Sequence, residues 1–69
     1  MKIKLKKENA EFIENTGMEV SLPNGHRYFY IPFWFRKTES ENVYEEYSFE
    51  YIPEELKEAI KDERNLVKL

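Results

Sequence analysis

A chain of 69 residues with a net charge of −3 and no cysteine excludes a good deal before any pattern is read. This length forms one domain, which buries only ~60% of the surface exposed by the unfolded chain. Disulfides and thiolate metal sites are ruled out, and a single histidine, His26, cannot assemble the usual zinc ligand sets.

No cofactor is implied. Absence of cysteine fits a reducing compartment, and Met1 is followed by Lys-Ile-Lys-Leu-Lys-Lys, too short an apolar stretch for a secretory signal. A cytoplasmic protein with no membrane association is therefore expected. Charge is unevenly placed: residues 1–37 carry a balance of +3 and residues 38–69 a balance of −6. Such segregation shapes surface potential and partner choice, not the fold.

In chain order, Lys2, Lys4 and Lys6 alternate with Met1, Ile3 and Leu5, the period of a half-buried strand. A short helix is predicted over 10–15, capped by Asn9, with Phe12 and Ile13 inward and Gly17 closing it. Met18 to Leu22 alternates again, and Asn24-Gly25 is the preferred pair for a two-residue hairpin turn. That turn sets Leu22 opposite Arg27, Val20 opposite Phe29 and Met18 opposite Ile31.

The returning strand is expected to run on through Phe33 and Phe35, with Pro32 marking an edge, a bulge or a bend. A further strand follows over 43–51, with Val43, Tyr47, Phe49 and Tyr51 on the core face. Pro53 then begins a helix whose first turn carries Glu54 and Glu55, and whose inner stripe is Leu56, Ala59 and Ile60. Leu66, Val67 and Leu69 either extend that helix or return as a short strand. The fold class is α+β: a small antiparallel sheet of three or four strands around a central Asn24-Gly25 hairpin, with one C-terminal helix on one face.

Ten of the eleven aromatic residues lie between Tyr28 and Tyr51, more rings than one core face holds. Tyr28, Tyr30, Trp34 and Tyr44, beside Glu46 and Glu50, are thus the candidate partner-binding residues, on a sheet face left open. The competing arrangement puts these rings in a second packing layer beneath the N-terminal segment. Tyr and Trp suit interfaces because they supply rigid, amphipathic area, and the glutamates select a basic partner protein, one that itself binds nucleic acid being a natural match. Chain size and a bias towards Phe, Tyr, Met, Ile, Asn and Lys suit a phage-type inhibitor or adaptor. A homodimer through the same face is the milder form of this reading.

The alternative is a single-stranded nucleic-acid binder with Tyr28, Tyr30 and Trp34 as a stacking platform near Arg27, Arg36 and Lys37. Net negative charge and Glu19, Glu46 and Glu50 on the same face make nucleic acid the less favoured partner. The inventory argues against catalysis. A triad would need His26, Asp62 and one of Ser21, Ser40 or Ser48, yet His26 sits at a turn where a polar side chain is ordinary. Gly17 and Gly25 are the only glycines, so no phosphate loop exists.

Overall fold

A computed structural model describes residues 1–61 and 66–67, apart from the side chains of residues 49, 66 and 67. The elements are β1 (Lys2–Lys4), α1 (Lys7–Thr16), β2 (Met18–Ser21), β3 (Arg27–Tyr30), β4 (Trp34–Lys37), β5 (Val43–Tyr47), a 3-10 turn at Phe49–Tyr51, α2 (Glu54–Ile60) and β6 (Leu66–Val67). Strands β1 to β5 form an antiparallel sheet that the two-residue β6 extends at the free edge of β2, in the order β1-β5-β4-β3-β2-β6. The α+β class with an antiparallel sheet holds. The strand count and the single helix do not, since α1 and α2 both pack on the sheet.

The expected long aromatic strand is in fact two. The chain reverses at residues 31–33, so that Tyr30 pairs with Trp34, Phe29 with Phe35 and Tyr28 with Arg36. Pro32 has no N–H and a fixed φ, which makes it a poor ladder residue and a good turn residue. Because the turn has an odd number of residues, each ring keeps its parity: Phe29 and Phe35 share one face, and Tyr28, Tyr30 and Trp34 the other.

The preceding hairpin is also longer than expected. The amide of Gly25 donates to the Leu22 carbonyl at 2.9 Å, and that of Leu22 donates to the His26 carbonyl at 2.9 Å. Gly25 has φ 94°, so the connection is a three-residue loop with Pro23 and Asn24 in its bend and a left-handed glycine at its end. The extra residue shifts the register by one. Val20 faces Tyr28 and Glu19 faces Phe29, which turns every β3 side chain to the opposite side of the sheet relative to β2.

Both faces are covered as a result. On one, Ala10 and Ile13 of α1 pack on Phe29, Phe35 and Tyr44, with Ile3, Leu5 and Ile31 at the margin. On the other, Leu56 and Ala59 of α2 pack on Val20, Tyr28 and Trp34, with Tyr47, Ile52 and Ile60 beside them. Full burial of a side chain of this size contributes about 1.5–3 kcal/mol, so two thin cores replace the single one expected.

Other details differ too. Helix α1 starts after Lys6 without a side-chain cap from Asn9, and Phe12 projects to solvent while Ile13 is buried. Gly17 is extended, not left-handed, and its lack of a Cβ serves close packing: an added Cβ would lie 2.8 Å from the Ile13 carbonyl oxygen. Pro53 stands one position before the first residue of α2. Leu66 and Val67 pair with β2, which makes this segment a strand. Leu69 and Asp62 lie outside the described residues.

Candidate functional site

The six residues predicted to form one surface are dispersed. Tyr28 and Tyr44 are each 1% exposed and Trp34 is 7% exposed. Tyr28, Tyr30 and Trp34 lie on the α2 side of the sheet, whereas Tyr44 and Glu46 lie on the α1 side. Glu50 is exposed in the 3-10 turn. The open aromatic face is therefore corrected: Tyr28 and Trp34 pack under α2, not beneath the N-terminal segment, and of the four rings Tyr44 is the one that lies under α1. The stacking platform fails for the same reason, because Tyr28 and Trp34 are packed among Leu56 and Ala59.

The buried rings hold the helices in place through polar tips. The Tyr28 hydroxyl donates to the Glu55 carboxylate, which also accepts from Asn24 Nδ2 at 3.1 Å and lies 2.7 Å from His26 Nδ1. These bonds, with that from Tyr28 foremost, hold the Glu55 carboxyl below its ordinary range. On the opposite face, the Tyr44 hydroxyl donates to Glu14 of α1, whose carboxylate lies 3.2 Å from Lys37 Nζ. Burial pushes Glu14 up, but the bonds from Tyr44 and Lys37 outweigh it and hold the group low. Burial, and then the bond to the glutamate, push both phenols well above the usual tyrosine range. Each helix is thus fixed to the sheet by one tyrosine-glutamate bond.

Arg27 is engaged in a similar way. Its Nε donates to Glu19 at 2.7 Å, its guanidinium lies 4.0 Å from Glu14, and it stacks 5.2 Å from the centre of the Phe29 ring. The bond from Arg27 holds Glu19 below its ordinary value. Among the described residues, no group of three or more His, Cys, Asp or Glu is placed to hold a metal ion. No helix among them is long and apolar enough to cross a membrane.

Among the described residues, the exposed rings besides Phe12 on α1 are two that alternation assigned to the core. Phe33 is 47% exposed and Tyr51 is 77% exposed. Trp34 pairs with Tyr47, so the next positions outward, Phe33 and Ser48, sit at one end of the sheet. Tyr51 stays within a turn of that end, since its amide donates to the Ser48 carbonyl at 3.2 Å. Glu46 and Glu50 flank the same end, and neither forms an ion pair among the described residues. The sequence signals for both rings were prolines: Phe33 follows Pro32 in a turn, and Tyr51 precedes Ile52-Pro53, where the strand has already ended.

The opposite end of the sheet is concave. A depression of about 310 Å³ between the β2–β3 loop and the end of β4 is lined by His26, Arg27, Arg36, Lys37, Thr38 and Glu39, among others. A second, of about 370 Å³, shares Arg36, Thr38 and Glu39 and continues to Lys2, Ser40 and Val43. In comparisons with family models, curated proteins and solved structures, nothing matches this chain.

Proposed function

We propose that the chain is a small non-enzymatic protein-binding module, an inhibitor or adaptor, that docks on a basic partner through the sheet end carrying Phe33, Tyr51, Glu46 and Glu50. One observation carries this reading. In a molecule that packs most of its rings into two cores, Phe12 of α1 is exposed by itself, whereas Phe33 and Tyr51 are both exposed at one sheet end that also carries Glu46 and Glu50, carboxylates with no ion pair among the described residues. Interface energy concentrates in a few aromatic anchors, and the surrounding charge selects the partner and speeds encounter. A partner with an arginine- or lysine-rich surface fits both features.

The test compares capture of cellular proteins by the wild type, by a Phe33→Ala/Tyr51→Ala double variant and by Glu50→Lys. The proposal expects basic proteins on the wild type, depleted at least tenfold on the double variant and reduced on the charge reversal. Melting of all three should agree within a few degrees, because none of the changes removes a buried group. An identical set of captured proteins on all three baits would refute the surface. Recovery of the chain itself alone would replace the basic partner with a second copy.

A further inference from the structure

The concave end of the sheet contains a cation, Arg36, with no ion pair among the described residues. Across the α2 side of the sheet, the pairing places Lys2, Glu45, Arg36 and Tyr28 in one row. Helix α2 covers the Tyr28 end of that row, and Arg36 lines both depressions beyond it. Arg36 Nε is 3.5 Å from the Tyr47 hydroxyl, and no other bond or ion pair of its guanidinium occurs among the described residues. Glu45, directly across the strand, has Oε1 3.1 Å from the Met1 ammonium, and its charge also acts on Arg36, though it forms no ion pair with it. By contrast, Arg27 and Lys37, on the same rim, are bridged to Glu14 or Glu19.

A half-buried guanidinium whose terminal N–H groups point to no carboxylate is suited to a planar or tetrahedral oxyanion, which it binds in bidentate fashion. We infer that the depression holds a phosphate monoester group on Arg36, with the Lys2 ammonium and the Ser40 hydroxyl as further contacts. Thr38 also lines the depression, and its own hydroxyl donates to the Val43 carbonyl at 2.7 Å. Glu39 lines both depressions and opposes the anion, so it tunes affinity downward. A monoester is favoured over a nucleic-acid backbone because no Phe, Tyr or Trp lines either depression as a platform on which successive bases could stack. This site lies at the opposite end of the sheet from the docking surface and stands independently of it.

The probe is inorganic phosphate, titrated at constant ionic strength against backbone and arginine side-chain N–H resonances, with chloride as the control anion. Saturable shifts confined to Arg36, the Thr38 to Ser40 backbone and Lys2 are expected. Arg36→Gln should weaken binding at least tenfold, Arg36→Lys less, and Glu39→Gln should tighten it about threefold. Equal shifts with chloride, or undiminished binding by Arg36→Gln, would overturn the site. Should Arg36→Gln fail to fold, Glu39→Gln alone decides: no gain in affinity counts against the proposal. A single-stranded oligonucleotide without terminal phosphate that saturates the same resonances at lower concentration would overturn the monoester assignment in favour of a diester backbone.

Discussion

At the scale of single residues, the polar tips of buried tyrosines explain why rings with hydroxyls, not phenylalanines, stand at 28 and 44. A phenol that reaches a helix carboxylate satisfies its own donor and fixes the helix above it. Tyr28→Phe and Tyr44→Phe should each destabilise the fold by about 1–2 kcal/mol, measured by urea denaturation, with little change in the transition's slope. The same bonds set the pH response. Glu14, Glu19 and Glu55 have lowered folded-state values, so the unfolded chain binds more protons as pH falls below about 4.5. Their contribution is complete above that point and is lost towards lower pH. Tyr28 and Tyr44 act in the opposite direction: their folded values are raised, so stability is lost as pH climbs past the free-tyrosine value of about 10. Thermal melting across pH should fall at both ends, and Tyr28→Phe should flatten part of the alkaline limb. Gly25→Ala belongs at this scale as well. With φ at 94°, it should cost about 1 kcal/mol or more, although open space surrounds the position.

At the scale of elements, the two hairpin turns decide what the alternation means. Residue parity along 28–36 was legible: Phe29 and Phe35 do share a face, as do Tyr28, Tyr30 and Trp34. The reversal at Pro32 was half-legible, since a proline in a strand signals a break but does not say that the chain folds back upon itself. Asn24-Gly25 correctly marked a turn. Its length was not legible, because a bend centred on Pro23-Asn24 with glycine at its end uses the same residues as a two-residue loop. That single residue decided which rings join Val20, and so which helix covers them. The stripe of α2 was read correctly through Leu56, Ala59 and Ile60, whereas α1 extends three residues earlier than its apolar positions announce, from Lys7. Burial by α2 also changes what Trp34 should do. Trp34→Ala removes a ring packed among Leu56 and Val20 and should cost about 3–5 kcal/mol, comparable to the whole stability of a domain this size. Circular dichroism should then show a largely unfolded chain at 37 °C, not a folded one that has lost a contact.

At the scale of the molecule, a short chain reaches stability by using both sides of one sheet. Each helix supplies only two buried residues, Ala10 and Ile13 or Leu56 and Ala59, and the aromatic strands supply the bulk. A density of rings that looks excessive for one face is what two faces require, which is why composition alone pointed to a contact surface. The two ends of the sheet differ: one is aromatic and acidic, the other is concave and carries Arg36, which forms no ion pair among the described residues, and the proposed surfaces lie there. This division rests on the aromatic band being structural, and the single tryptophan reports on that directly. Acrylamide quenching of Trp34 in the native protein, compared with the urea-unfolded chain, is the decisive measurement. The fold described predicts blue-shifted emission and quenching several-fold weaker than in the unfolded state, as befits a ring 7% exposed. Native emission as red-shifted and as readily quenched as that of the unfolded chain would mean that the rings face water, and both the two-core fold and the surfaces assigned from it would have to be abandoned.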